Sequence, residues 1–381
     1  MPKLVRTAAV LVTMLGLGLI TGPVTGAEPE SQTQRQRTAV VSLGDSYISG
    51  EAGRWRGNSV DSTGDRAGTD RAFVSTPTGP AYDPAIVYGP TAANGCHRSD
   101  VAEITQVRRL IRPVTINLAC SGASTANVLR TSAGGVAFKG EAPQNDQLAV
   151  VARQYRVTAI ALSIGGNDAG FADIVSACVL AGLTNGQPCR ETQQPTIDRL
   201  LPVMRDAVAR TVDDIRATMA AAGYRDGSYR LILQSYPVPL ARAADMRYPQ
   251  GPQRFTVGGC PVLDTDADWD LAQRISDSLR AVAAAEQVQF LDLRDAFQGH
   301  ELCSAAAQQS DGTPDEATDE WIRWIDLAGQ GDLNESLHPN AFGQHAFGRC
   351  LSLTLLLTHR NVSCHPVPGR SAAWMSLRPL R

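Results

Sequence analysis

Lysine is all but missing from this chain: of 35 basic residues, only Lys3 and Lys139 are lysines. Amine chemistry therefore has one candidate beyond the N-terminal segment, Lys139, in a glycine-rich loop without an activating neighbour. Basic blocks are absent too, and charged residues make up 19% of the chain with a net charge of −3. That balance argues against a nucleic-acid partner or an anionic membrane surface held by charge. Cys-x-x-Cys pairs and tight His/Cys clusters are lacking, which removes the usual signature of zinc, so no metal or other cofactor is expected. Outside Ala8–Ile20 no apolar run stands out except Leu351–Leu357, far short of the roughly 20 residues that span a bilayer. Leu351–Leu357 reads as a buried helix face, and stable membrane insertion is not expected.

Lys3 and Arg6 precede an apolar run of 13 residues, Ala8–Ile20, and Thr25-Gly26-Ala27 supplies small residues for cleavage. Residues 1–27 thus read as a secretion signal, followed by a polar, disordered linker over 28–37. Without Lys3 and Arg6, 33 basic residues face 38 acidic ones, a balance of −5. The mature protein is expected to be an extracellular monomer. Eight cysteines in an exported chain point to disulfides. Their spacing favours four local pairs, Cys96 with Cys120, Cys178 with Cys189, Cys260 with Cys303 and Cys350 with Cys364, out of roughly 105 connectivities. Each closure would stabilise by about 2–4 kcal/mol.

Five apolar segments read as strands: 40–43, 114–119, 157–164, 229–235 and 288–293. Helices are expected over 99–112 (Ser99 as N-cap, Pro113 as stop), 145–156, 196–222, 268–286 and 341–358. Cys178 and Cys189 are assigned to a loop, and the tail over 365–381 to disorder. The alternation predicts an α/β fold with a five-stranded parallel sheet covered on both faces and a cleft at the carboxyl ends of the strands. Three long insertions interrupt it, at 51–100, 240–265 and 295–335. The first reads as an ordered lid or cleft wall pinned by Cys96–Cys120.

Small polar residues recur where the strands end: Gly44-Asp45-Ser46, Cys120-Ser121-Gly122 and Gly165-Gly166-Asn167-Asp168. Ser46 could be a nucleophile at the mouth of the sheet or simply part of a helix cap. As a nucleophile it would bring its own N–H to an oxyanion, joined by the Gly122 N–H and the Asn167 amide. The alternative for Gly122 and Asn167 is plain turn formation. Among six histidines, His338 stands out in Glu335-Ser336-Leu337-His338-Pro339-Asn340, just before a helix, where an imidazole can be aimed into a cleft. Pairing His338 with His345 as metal ligands is disfavoured by their offset and the lack of a flanking acidic cluster.

Gly44-Asp45-Ser46, Gly122, Gly165-x-Asn167-Asp168 and His338-Pro339-Asn340, in this order, resemble the four blocks of the SGNH/GDSL hydrolase family. The cysteines and insertions look most like its secreted actinobacterial esterase and lipase branch. The resemblance implies a flavodoxin-like three-layer sandwich over 38–364 and Ser-His hydrolysis of esters. It also implies an oxyanion hole of Ser46, Gly122 and Asn167. One departure stands out: the family carries aspartate three residues before the histidine, and this chain has Glu335. Glu335 is taken as the group that orients His338, with the carbonyl of Ser336 or Glu335, or a more distant Asp326 or Asp332, as alternatives. Asp45 and Asp168 are read as turn-fixing. Trp55, Trp321 and Trp324 would line an acyl or sugar pocket or pack in the core.

The expected protein is a secreted carboxylesterase or lipase acting on small-molecule, lipid or other acylated esters through an acyl-enzyme. The alternatives are a carbohydrate O-acetyl esterase and a non-catalytic extracellular binding protein. The polarity of 51–100 leans against a deep acyl tunnel.

Overall fold

Valine, isoleucine and leucine runs flanked by glycine and polar turns assemble into a mostly parallel sheet in the computed structural model, which describes residues 36–59, 69–327, 329, 331–357 and 360–380. The segment read as a secretion signal and residues 28–35 of the linker lie outside the described residues. By Gln36 the chain is already engaged, because its amide donates to the Arg153 carbonyl at 2.9 Å.

The strands are β1 (Thr38–Gly44), β2 (Phe73–Thr76), β3 (Gly79–Tyr82), β4 (Val114–Asn117), β5 (Arg156–Ser163), β6 (Arg230–Gln234), β7 (Gln289–Asp292), β8 (Val362–His365) and β9 (Ser376–Pro379). The helices are α1 (Ser46–Ser49), α2 (Ala85–Tyr88), α3 (Thr91–Asn94), α4 (Glu103–Ile111), α5 (Thr125–Val128) and α6 (Gln144–Gln154). They continue with α7 (Phe171–Thr184), α8 (Cys189–Ala221), α9 (Pro252–Thr256), α10 (Asp264–Ala267), α11 (Leu271–Ala285) and α12 (Ala341–Leu357). The main sheet runs β4-β1-β5-β6-β7-β8-β9. All its pairings are parallel except β8 with β9. The five expected strands are β1 and β4 to β7. Strands covered on both faces become almost wholly apolar, and β1 and β5 are buried nearly throughout. Two groups of helices cover the sheet: α8 packs with α6, α7 and α11, while α4 packs with α12.

Two expectations need correcting. The sheet has seven strands, not five, and the tail is ordered rather than disordered. Val362–His365 extends the parallel order beside β7, and Ser376–Pro379 closes the edge antiparallel to it. The tail is tied down by the Cys350–Cys364 disulfide and by burial of Ala372 and Met375. The two strands are only four residues each, and the stretch after Cys364 is rich in proline, serine and arginine, so the tail looked unstructured. Pro379 sits on the edge strand, where a missing N–H costs least.

A further correction concerns α7, which occupies the stretch assigned to a loop. Phe171–Thr184 is apolar nearly all round, so the 3.6-residue periodicity that marks an amphipathic helix is faint. Its partner α8 starts at Cys189 rather than 196, because the Asp266 carboxylate accepts from the N–H groups of Cys189 and Arg190 at 3.0 and 2.9 Å. The four disulfides join the pairs expected from spacing.

The 51–100 insertion is ordered over its described parts. It holds the β2–β3 hairpin, α2 and α3, and a buried bidentate Arg54–Asp70 pair at 2.8 and 2.7 Å. No helix among the described residues is long and apolar enough to cross a membrane.

Candidate active site

The site begins at the carboxyl end of β1. Gly44 has φ +137°, a conformation that favours glycine, and a Cβ there would stand 1.8 Å from the Ser163 carbonyl oxygen on β5. Gln144 brackets the same peptide from α6: its Oε1 accepts from Gly44 N–H and its Nε2 donates to Gly44 C=O, both at 2.7 Å. Asp45 then caps α1, accepting from the Tyr47 N–H at 3.1 Å, so Ser46 opens the helix with its side chain at the cleft.

The other Asp45 oxygen accepts from the Tyr236 hydroxyl, and that hydroxyl accepts from Gly166 N–H at 3.0 Å. Tyr236 therefore joins the turns after β1 and β5. Burial pushes the Asp45 carboxyl up to about 7, against the hydrogen bonds from Tyr236 and Tyr47 that favour its charged form. Asp168 serves the neighbouring turn, accepting from Thr125 N–H at 3.1 Å and from the Thr125 hydroxyl. Both aspartates hold turns, as expected of them.

Ser46 Oγ lies 2.6 Å from His338 Nε2 across 292 residues of sequence. His338 Nδ1 lies 2.9 Å from the Ser336 carbonyl oxygen. A carbonyl only accepts, so Nδ1 carries the proton and Nε2 offers a lone pair to the serine hydroxyl. Burial pulls the His338 pKa below the ordinary histidine range, opposed by the charge of Glu51 and the Ser336 carbonyl. At neutral pH the imidazole is then free to take a proton. Tyr47 supports it from below: its hydroxyl donates to the Leu337 carbonyl at 2.8 Å, and its ring lies 4.9 Å from the imidazole.

Glu335 is not the group behind His338. Its buried carboxylate accepts from the Tyr88 hydroxyl at 2.6 Å, from Trp55 Nε1 at 2.7 Å and from Asp332 N–H at 3.2 Å. The Asp332 carboxylate caps the same turn at the Asn334 N–H. With the turn folded this way, the glutamate points toward the 51–100 insertion, and the next carbonyl, that of Ser336, meets the imidazole instead. His345 is paired with Glu316 at 2.7 Å, away from any metal role with His338.

Gly122 (φ +82°) and Asn167 border the same cleft as Ser46 and His338. The Asn167 Nδ2 donates to the Ala123 carbonyl at 2.8 Å, which fixes the amide between the second and third turns. The cleft has a volume of about 480 Å³. Away from the serine its walls are apolar: Phe171, Val175, Val179 and Leu183 of α7 face Ile275 and Leu333. Leu180, Leu183 and Leu333 are also well exposed at its mouth. The walls are apolar although 51–100 is polar, because the missed helix, not that insertion, builds them. None of Trp55, Trp321 and Trp324 borders this cleft; all three are buried in the protein core.

Sequence reasoning missed Tyr236, Gln144 and Tyr47. Tyr236 left one trace, a tyrosine straight after the fourth strand. Gln144 and Tyr47 act across long sequence distances and left none.

Residues 86–346 match the model of the GDSL-like Lipase/Acylhydrolase family, a stretch that includes Gly122, Asn167 and His338 and starts after Ser46. Lipase 1 of Streptomyces coelicolor is 28% identical over 259 residues, covering 67% of this chain and 75% of that protein. A lipase of Streptomyces rimosus is 27% identical over 231 residues, 59% of this chain and 64% of its own length. The crystal structure of the extracellular lipase from Streptomyces rimosus superposes with a TM-score of 0.52 at 21% identity, over 84% of this chain and 99% of that one, a likeness of fold. With a family model spanning well over half its length, this chain belongs to the GDSL-like lipase/acylhydrolase family and is an ester-hydrolysing enzyme.

Proposed function

We propose that the protein is an exported serine esterase of the lipase type that hydrolyses fatty-acyl esters through an acyl-enzyme. The observation that carries this reading is the 2.6 Å contact between Ser46 Oγ and His338 Nε2 at the floor of an apolar cleft. In the first half-reaction Nε2 takes the serine proton while Oγ bonds to the ester carbonyl carbon, and the carbonyl π electrons move to oxygen. The Ser46 N–H, the Gly122 N–H and the remaining Asn167 amide hydrogen are the donors assigned to that oxyanion. Loss of one such donor typically costs about 2.7–4 kcal/mol of transition-state stabilisation. As the tetrahedral carbon collapses, the bond to the alkoxide breaks and the imidazolium protonates the leaving alcohol. In the second half water replaces the alcohol: His338 deprotonates it, it attacks the acyl carbon, and Ser46 leaves with the proton returned.

The Ser336 carbonyl supports this sequence by accepting from Nδ1–H, which keeps the lone pair on Nε2 and steadies the transient cation. Acid protonates Nε2 and removes the base. Covalent labelling of Ser46 by a fluorophosphonate is therefore expected to rise with pH through a midpoint below the ordinary histidine range, following the lowered His338 pKa. Mass spectrometry of the adduct tests both the residue and the profile. No adduct on Ser46 would leave the non-catalytic binder.

The apolar walls favour the hydrocarbon part of the substrate. Turnover of p-nitrophenyl esters is expected to rise from acetyl to octanoyl, at about 0.8 kcal/mol for each methylene buried. Val179→Trp, which fills the trough, should cost octanoyl ester about tenfold more than acetyl ester. Highest activity on acetyl ester or acetylated polysaccharide would instead support the carbohydrate esterase. Export is supported by the four disulfides and by the extracellular relative.

A further inference from the structure

Behind His338 lies a group of buried polar side chains that the ester chemistry above leaves unused. Glu51 and Glu335 are almost fully buried, as is His97, and all three come from segments joined to the site. Followed in space, their contacts form a closed circuit. Glu51 N–H donates to the Ser46 carbonyl at 3.1 Å, just past the helix that the nucleophile opens. The Glu51 carboxylate holds His97 Nδ1 at 2.8 and 2.9 Å. The His97 ring stacks on Tyr88, with centroids 4.4 Å apart and planes 15° from parallel. The Tyr88 hydroxyl donates to Glu335 at 2.6 Å, and Glu335 also receives the Trp55 N–H at 2.7 Å. One residue on, the Ser336 carbonyl takes the Nδ1–H of His338, whose Nε2 returns to Ser46.

Burying a carboxylate costs several kcal/mol unless it is paired or hydrogen-bonded, and well-packed apolar side chains usually do the same structural work more cheaply. Keeping Glu335 and Glu51 here needs a gain other than stability. Direction is the gain on offer. Glu335 has two acceptor oxygens, each met by a rigid aromatic donor from the 51–100 insertion. Trp55 is itself held in place, with the Arg323 guanidinium 3.6 Å above its ring. The turn Asp332–Glu335 is thereby fixed at its last residue, and the next peptide must aim its carbonyl where Nδ1 lies.

We propose that Glu335, held by Tyr88 and Trp55, is the positioning residue for His338, acting through the Ser336 carbonyl rather than by touching the imidazole. This role rests on the Ser46–His338 reading. The 51–100 insertion gains a function by it. From that insertion α2 supplies Tyr88, and the segment after α1 supplies Trp55 and Glu51, so the nucleophile and the base are referenced to the same stretch of chain.

The test uses the full chain with its disulfides intact and p-nitrophenyl acetate, whose short acyl group makes little use of the trough. Glu335→Gln keeps the shape but turns one acceptor into a donor facing a donor. It is expected to lower kcat about 10–100-fold with KM within about twofold, the split expected when a base is misdirected by a fraction of an ångström. Tyr88→Phe should lower kcat about tenfold. The double variant should fall within about threefold of Glu335→Gln alone, because both changes cut one link. Changes that merely loosen the fold would lower the active fraction, scored by fluorophosphonate titration, without altering kcat per active site. Equal kcat per active site in Glu335→Gln and the parent would overturn the proposal, as would losses that simply multiply. If Glu335→Gln does not fold, Tyr88→Phe decides alone, since it deletes one oxygen and keeps the ring, and an unchanged kcat overturns the role. The underlying Ser-His reading is separated by Ser46→Ala: hydrolysis surviving that change sinks the Ser-His chemistry itself. A dead Ser46→Ala beside a fully active Glu335→Gln sinks only the positioning.

Discussion

Replacing Ser46 with alanine is expected to lower kcat for ester hydrolysis on the order of 10⁵–10⁶-fold, to the level left by binding and oxyanion donors alone. The size follows from what disappears. In the proposed mechanism Oγ forms the bond that divides the reaction into two easier steps, and it is the hydroxyl placed 2.6 Å from the His338 imidazole. Water entering the vacated space would be held by the same imidazole but without the orientation that a tethered nucleophile brings, worth about 7–11 kcal/mol. His338→Ala should lose a similar amount, and the double variant should be no worse than either single one, because the two act as a unit. Stability should hardly move in Ser46→Ala, since Asp45 still caps α1 and only one hydroxyl is lost. Steady-state kinetics with an enzyme preparation free of contaminating esterase, paired with a melting curve, checks both parts. Retention of even a tenth of the parent rate would mean that the nucleophile lies elsewhere.

Gly44→Ala carries the largest expected effect on folding, a loss of more than about 4 kcal/mol, which is much of a typical domain's stability. Two independent costs meet at this residue. The backbone sits at φ +137°, a region closed to side-chain-bearing residues except at a cost of about 1–3 kcal/mol. The added methyl would also stand 1.8 Å from the Ser163 oxygen, well inside van der Waals contact, and that oxygen belongs to the backbone of the neighbouring strand β5. No side chain can rotate away to relieve it. The strands would have to part at their carboxyl ends, where Ser163 C=O accepts from Asp45 N–H at 3.0 Å and where Gln144 clamps Gly44. Soluble yield and a urea titration monitor this. An alanine variant melting within about 2 °C of the parent would contradict the conformation described for the turn.

How much of the site was legible in the sequence depends on how each residue is held. Ser46, Gly122, Asn167 and His338 were readable because each sits in a short local motif at the end of a strand or the start of a helix, where turn chemistry and position constrain one another. Asp45 and Asp168 were readable for the same reason: their partners, the N–H groups of Tyr47 and Thr125, belong to the adjacent turns. Glu335 was misread because a carboxylate three residues before a histidine has two ways to turn, and the choice belongs to Tyr88 and Trp55, which are 247 and 280 residues away. The wall of the cleft was missed because α7 lacks the polar stripe that identifies a surface helix; apolar residues on it border the open cleft, and Leu180 and Leu183 stay exposed.

The sequence by itself determined the alternation of strand and helix, the disulfide partners and the four residues that meet at the cleft, all consequences of hydrophobic period, chain proximity and local turn geometry. Tertiary structure alone decided which group stands behind His338, what lines the cleft and that the tail completes the sheet. Those outcomes depend on contacts between segments far apart in the chain, where a buried carboxylate takes whichever donors the fold brings to it, and an apolar helix shows its role only once its neighbours are in place.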